Sequence, residues 1–207
     1  MRFVLFAEGH TERAVPELLS RWLNPRLSRP VGIQLVRLQG SAEFRKGIRD
    51  RVRHHLESPA AAEVLACIGL LDLYGASLPQ DPGGGAPEWV QRGTVELEAL
   101  VDSDRFRMFY AVHEVEAWLL SQPSVFPREV VARLQRYSKA PELVDGTHPP
   151  AKVLSNAYLG ALKRDYRKVT DGTNLLRRLD PEVVHRACPN FGLMLNTMLA
   201  IAKSNGL

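Results

Sequence analysis

The sequence FVLFAEGHTE, from Phe3 to Glu12, joins an apolar run to two carboxylates, a glycine and a histidine. An uninterrupted apolar run such as Phe3 to Ala7 is typical of a strand that is covered on both faces of a sheet. A carboxylate such as Glu8 is costly to bury unless it has a partner. Gly9 allows the chain to turn directly after it. The segment therefore predicts a buried strand that carries an acidic side chain to the edge of a sheet.

Segments with the pattern of strands alternate with segments of helical period. The predicted strands are Phe3 to Ala7, Ile33 to Leu38, Val64 to Leu71 and Phe106 to Val112, and the helices between them cover Thr11 to Leu23, Ala42 to Leu56 and about Pro87 to Leu100. Alternation of this kind is typical of right-handed βαβ units. We predict an α/β fold with a mainly parallel sheet of about four strands flanked by helices.

The pattern becomes helical throughout after Val112, with breaks at Gln122-Pro123 and at Pro149-Pro150. Proline cannot continue a helix, so such pairs separate short helices. We therefore expect residues 1–121 to form the α/β core. Residues 122–207 should form a helical layer or subdomain packed on that core.

The composition indicates a globular, soluble protein. A chain of 207 residues with 45% hydrophobic residues can bury a sizeable core. Its two cysteines, Cys67 and Cys188, form neither a disulfide framework nor a zinc-binding pair. The sequence contains no apolar run of the roughly 20 residues needed to cross a bilayer, so we expect a cytoplasmic protein. The net charge of +4 permits a polyanionic partner without requiring one.

Acidic residues follow three of the four predicted strands. Glu8 follows the first, Asp72 ends the third, and Glu114 and Glu116 follow the fourth. Parallel strands end at one edge of a sheet, where functional groups gather. Clustered carboxylates repel one another unless cations compensate, and hard oxygen ligands select Mg²⁺ or Mn²⁺. Each residue also has a structural alternative, as a helix cap, a turn residue or a solvated side chain.

The motif beginning at His113, HEVEA, superficially resembles the zinc-binding helix H-E-x-x-H. Ala117 stands where that motif needs its second histidine, so zinc binding of this type is excluded. His113 instead lies beside the predicted carboxylate site. We group it with Gly9 and Glu12 as residues that support the site.

Six short segments together resemble a known fold family. EGHTE, LLDLYG, HEVEAWLL and the distal PPAKVL, YRKVTDG and CPNF segments resemble the Toprim fold of topoisomerases, bacterial primases and OLD-type nucleases, with E-G-x-T-E closest to the OLD side. More narrowly, they are similar to a family of small, stand-alone bacterial Toprim-like proteins that are often encoded beside ABC-type ATPases. The resemblance implies that Glu8 is an acid/base group or metal ligand, that Asp72 is a metal ligand, and that Glu114 and Glu116 complete the site.

One position departs from the Toprim pattern. Toprim centres usually carry D-x-D, whereas Asp72 is followed here by Leu73 and Tyr74. The second aspartate is a metal ligand in that pattern. Its loss puts catalysis in doubt unless Glu114 or Glu116 replaces it.

The resemblance implies a nuclease or phosphodiesterase that uses Mg²⁺ or Mn²⁺ and acts on nucleic acid, with DNA expected before RNA. It further implies a role in bacterial defence or DNA repair with an ABC-type ATPase partner. The alternative is a catalytically degenerate partner or regulatory protein that binds an ATPase or nucleic acid. A homodimer is compatible with either function.

A nucleic-acid substrate would need a positively charged track. Lys163, Arg164, Arg167 and Lys168 form a basic run with aromatic residues interleaved, and such a run is suited to phosphate contacts. The alternative is a solvated face, because Asp165 and Asp171 dilute the charge.

Overall fold

The computed structural model describes residues 1–9, 11–73, 85–143 and 149–207, with only the backbone of Thr11 and Glu12. Tyr74, at the position of the second Toprim aspartate, lies outside the described residues. The strands and α-helices are β1 Arg2–Ala7, α1 Val15–Leu23, β2 Gly32–Arg37, α2 Gly40–Glu57, β3 Val64–Asp72, α3 Ala86–Val101, β4 Phe106–Ala111, α4 Glu116–Leu120, α5 Arg128–Leu134, α6 Pro150–Leu162, α7 Thr173–Arg178, α8 Pro181–Ala187 and α9 Pro189–Ser204.

The four strands form one parallel sheet in the order β2-β1-β3-β4. Helices connect successive strands, and every regular element that the structure describes after β4 is helical. The α/β fold class predicted from the sequence is confirmed. Every residue of β3 is buried, as expected for a central strand covered on both faces.

The two faces of the sheet have separate apolar layers. Phe3, Leu5 and Ala7 of β1 point to one layer, which contains α1 and residues from the helical C-terminal half. Val4 and Phe6 point to the other, which is built with α2 and α3. This alternation follows from the period of two in a strand.

The predicted element boundaries agree closely with the structure except at the first helix. We predicted a helix from Thr11, but residues Thr11–Ala14 form a 3₁₀ turn and α1 begins at Val15. The second residue of α1 is Pro16, and proline is favoured in the first turn of a helix, where its missing N–H is not needed. The proline therefore marks where the regular α-helix begins.

The helical C-terminal half packs directly on the sheet. Helix α9 contacts β3, β4 and α1, and the rings of Trp118 and Phe191 meet at a centroid distance of 4.7 Å. The domain division after residue 121 stays a prediction. Among the residues that the structure describes, no helix is long and apolar enough to span a membrane.

Candidate metal centre

Three carboxylates meet at the carboxyl edge of the sheet. Asp72, Glu114 and Glu116 each offer an oxygen atom, and these oxygens all lie within 4.8 Å of one another. Asp72 is the last residue of β3 and Glu116 the first of α4. The parallel register places Asp72 beside Ala111, the last residue of β4, so the two strand ends bring the acids together.

Asp72 is held by the chain that follows β4. Its Oδ1 atom accepts a hydrogen bond of 2.9 Å from the backbone N–H of Val115, and the contact is buried. This bond satisfies a backbone donor that would otherwise be costly to bury. Asp72 therefore fixes the segment that carries Glu114 and Glu116.

The segment after β4 makes a tight turn at His113. Its φ is +65°, and the N–H of Glu114 donates to the carbonyl of Val112 at 3.0 Å. A three-residue turn with positive φ is strained for a non-glycine residue, at a cost of about 1–3 kcal/mol. Burial lowers the pKa of the His113 imidazole, although Glu142 and Glu114 oppose this. The strain is located where the chain must redirect Glu114 toward the site.

Glu114 links the site to the start of a helix. Its Oε2 atom accepts a hydrogen bond of 2.9 Å from the N–H of Ala151, in the first turn of α6. Free backbone N–H groups and the helix dipole both favour an anion at this position. A helix from the C-terminal half thereby helps to orient one of the carboxylates.

Glu116 is the most buried of the three acids, with no part of its surface exposed. Burial raises its pKa to about 7, against the opposing effect of Lys168 and with a further contribution from Glu114. Among the described residues, its Oε1 atom has no hydrogen-bond partner. A fully buried carboxylate oxygen without a partner is unusual and points to a missing cation or proton.

Lys168 supplies a positive charge to the cluster. Its Nζ atom lies 3.0 Å from Glu116 Oε2, 3.4 Å from Glu114 Oε1 and 3.7 Å from Asp72 Oδ2. Burial alone would lower the pKa of Lys168, but the three carboxylates outweigh it and raise the pKa above its usual range.

The turn that carries Lys168 is held by Asp171. This turn is a short π-helix, Lys168–Gly172, directly before α7. The carboxylate of Asp171 accepts two hydrogen bonds from the Arg164 guanidinium, at 2.7 and 3.1 Å, and one of 2.9 Å from the N–H of Arg167. π-helical turns often occur at functional sites. The arrangement fixes the backbone from which the lysine reaches the carboxylates.

The other predicted site residues have different positions. Glu8 follows β1, which lies next to β3, and is half-buried with Gly9, but it is not one of the three acids whose oxygens lie within 4.8 Å. His113 forms the strained turn described above. The side chain of Glu12 lies outside the described residues. The roles predicted for these residues stay predictions.

The predicted basic track is divided by the structure. Lys163, Arg164 and Arg167 are exposed, and Arg164 is paired with Asp171 and lies over the Tyr158 ring. Lys168 instead points to the carboxylates. The sequence pattern groups Lys168 with the predicted phosphate-binding residues and does not connect it with the acids. The sequence feature that could have linked Lys168 to the acids is its position in the distal YRKVTDG motif, which belongs to the same resemblance as the acidic motifs.

The family model described as Domain of unknown function (DUF4276) matches residues 7–199. The chain belongs to this family. The match includes all three acids and Lys168 of the DUF4276 chain. No curated protein matches it.

Among solved structures, the DUF4276 chain is similar to the C-terminal region of the Burkholderia pseudomallei OLD protein, with 14% identity, 94% of this chain and 98% of that chain covered, and a TM-score of 0.49. It is also similar to the C-terminal region of the Xanthomonas campestris pv. campestris OLD protein, with 14% identity, coverage of 95% and 97%, and a TM-score of 0.40. Likeness at this level adds nothing to the functional assignment, which rests on the residues of this chain.

Proposed function

We propose that this protein is a divalent-metal-dependent nuclease or phosphodiesterase that acts on nucleic acid. The observation that carries the proposal is the group formed by buried Asp72, half-buried Glu114 and buried Glu116, with oxygens within 4.8 Å of one another at the carboxyl edge of a parallel sheet. The sequence resemblance to Toprim proteins supports the same chemistry. It also suggests a cytoplasmic role in bacterial defence or DNA repair beside an ABC-type ATPase.

The three acids fit a divalent cation. Ligand oxygens of Mg²⁺ or Ca²⁺ lie about 2.0–2.6 Å from the ion, so two ligands of one ion are at most about 4–5 Å apart. The spacing of the three carboxylates meets this limit, and the unpartnered Oε1 of buried Glu116 has the hard-oxygen chemistry that Mg²⁺ and Mn²⁺ prefer. Asp72, Glu114 and Glu116 would hold the ion, with Glu8 as a further proposed ligand.

Each residue of the proposed site has a separate role. A bound divalent ion supplies Lewis acidity to the phosphodiester. Asp72 and Glu114 keep the site in shape through their hydrogen bonds to Val115 and Ala151. Glu8, half-buried at the neighbouring strand end, is the proposed group that moves the proton.

The proposed substrate approaches over a positively charged surface. Lys163 and Arg167 are exposed and lie within five residues of Lys168 in sequence. Their charges would contact phosphates without reading the base sequence. DNA is the substrate we propose first, with RNA as the second arm of the test.

The experiment compares cleavage of plasmid, single-stranded DNA and RNA by the purified chain in Mg²⁺ or Mn²⁺. Asp72→Asn and Glu116→Gln should abolish cleavage, because each removes a charged ligand and keeps the side-chain shape. Glu129→Gln, at an exposed position of α5, is the matched control and should cleave normally. Cleavage that survives both site substitutions would refute the proposed site. Each reaction is repeated with the proposed ABC-type ATPase partner added.

A second function is favoured by one observation, the position of Lys168. Its ammonium already lies against the three acids and offsets part of their negative charge, as expected in a catalytically degenerate protein that binds an ATPase or nucleic acid. Calorimetric titration with Mn²⁺ separates the two functions. Saturable binding that Asp72→Asn weakens supports the enzyme, and its absence supports the degenerate partner.

A further inference from the structure

We propose that Lys168 is a resident counter-cation of the carboxylate site, and that a divalent ion binds by displacing its ammonium group. This inference rests on the metal site of the proposed function. It concerns a different property, namely the state of the site before the ion arrives. Lys168 then competes with a divalent ion for the same three carboxylates.

The contacts of Lys168 are those of a shared cation. The Nζ atom lies within 3.7 Å of all three acids and is nearest to fully buried Glu116. A divalent ion held by the same oxygens would lie next to this ammonium. The divalent ion and the ammonium are both positively charged, and neighbouring positive charges repel strongly in a partly buried site, where screening by water is weak. The two cations therefore exclude each other.

The lysine has a route out of the site. Its side chain is 43% exposed, and the next residue, Val169, is 51% exposed. A long, flexible lysine stem can move its charge into water without a change in the backbone. Asp171 meanwhile keeps the turn in place through Arg164 and the N–H of Arg167. Displacement thus needs only side-chain rotation.

The buried acids explain why a resident cation is needed. Without a positive charge, Glu116 and its two neighbours would be close, buried and mutually repelling. Removal of the lysine charge should therefore weaken the metal-free protein. The same change should strengthen metal binding, because the ion no longer competes with the ammonium.

Calorimetric titration of the full chain with Mn²⁺ tests this directly. Lys168→Met keeps a flexible, unbranched side chain only one atom shorter and removes the charge, so the affinity of the variant for Mn²⁺ should rise by about tenfold or more, within the usual range of coupling between two sites. Lys168→Arg keeps the charge and should stay within about threefold of the wild type. Asp72→Asn shows whether the binding that is measured occurs at this site.

Two further measurements keep the test decisive if Lys168→Met is unstable. Mn²⁺ should raise the melting temperature of Lys168→Met more than that of the wild type. In the wild type, Mn²⁺ should also speed acylation of Lys168 by an amine-reactive reagent, read by peptide mass spectrometry, with exposed Lys203 as the internal control.

The outcomes separate this inference from the proposed function. If the wild type binds Mn²⁺ through Asp72 but Lys168→Met binds no more tightly, the counter-cation is refuted and the metal site stands. If none of these proteins binds Mn²⁺, both proposals are refuted. Tighter binding by Lys168→Met, together with faster acylation of Lys168, supports displacement.

Discussion

The Nζ atom of Lys168 lies 3.0 Å from Oε2 of Glu116, a carboxylate with no exposed surface. The same ammonium reaches Glu114, which is 54 residues away in the sequence. The candidate site is therefore made from both halves of the chain. The α/β half supplies the acids, and the helical half supplies the cation that holds them together.

Asp72 has a structural and a proposed metal-binding role, which two substitutions separate. Asp72→Ala leaves the buried N–H of Val115 without its acceptor and should lower the free energy of unfolding by about 1–3 kcal/mol. Asp72→Asn keeps an oxygen for that bond and should lose less stability, while Mn²⁺ binding is lost. Urea denaturation and calorimetry measure the two effects. Equal destabilisation by both variants would contradict the role of the Val115 bond.

Glu116 should make stability depend on pH. Burial raises its pKa from an ordinary 4.5 to about 7, so between these values the folded protein keeps a proton that the unfolded chain has lost. The contribution of Glu116 therefore falls as pH rises from 4.5 to 7, by up to about 3 kcal/mol, and is constant above.

Denaturation of the wild type and Glu116→Gln between pH 4 and 8, without metal, measures this contribution as the difference between the two proteins. The relative stability of the wild type should decrease across that interval. Glu129→Gln should show no such trend, and a flat difference for Glu116→Gln would rule out the raised pKa.

Asp171 should stabilise the turn that carries Lys168. Burial opposes the shift, but hydrogen bonds from Arg164 and from the N–H of Arg167 outweigh it and lower the pKa of Asp171. Asp171→Asn should cost about 1 kcal/mol, since Arg164 is partly exposed. The cost should be present at neutral pH and shrink as pH falls below 3.8, when the wild-type carboxyl also becomes protonated. Asp165→Asn, at an exposed position of the same segment, is the control, and an equal loss there would exclude a specific role.

Gly69 should tolerate no side chain. A Cβ atom there would lie 2.5 Å from Met108 Sδ and 3.1 Å from the rings of Phe44 and Phe106. Gly69→Ala should therefore destabilise the fold by about 1–3 kcal/mol through overpacking. At Gly32 the nearest atom would be 3.4 Å away, so Gly32→Ala should be close to neutral. Thermal unfolding compares the two, and equal melting temperatures would contradict the packing described for β3.

The exposed basic residues should bind nucleic acid through charge alone. Arg167→Ala and Lys163→Ala should each weaken DNA binding and reduce its salt dependence, because each removes about one phosphate contact. Neither should change the melting temperature, since both side chains are exposed. Fluorescence anisotropy at several salt concentrations provides the measurement. Affinity and salt slope that match the wild type would remove these residues from the proposed interface.

Local sequence patterns were sufficient to predict the sheet and the edge at which the acids gather. The strand β3, Val64–Asp72, is buried throughout, and a short, nearly continuous apolar run is consistent with a strand covered on both faces. The acids that follow β3 and β4 then had to come close, because neighbouring parallel strands end at the same edge. The start of α1 was predicted less well, since 3₁₀ and α-helical turns share similar residue patterns.

The sequence by itself determined the parallel α/β core and the meeting of Asp72 with Glu114 and Glu116, because apolar period and strand polarity are local properties. Only the tertiary structure decided which basic residue faces the acids. Lys163 and Lys168 belong to one basic run in the sequence, yet Lys163 is exposed and Lys168 is directed into the site. That difference depends on packing across 54 residues and on the Asp171 turn, which no local pattern encodes.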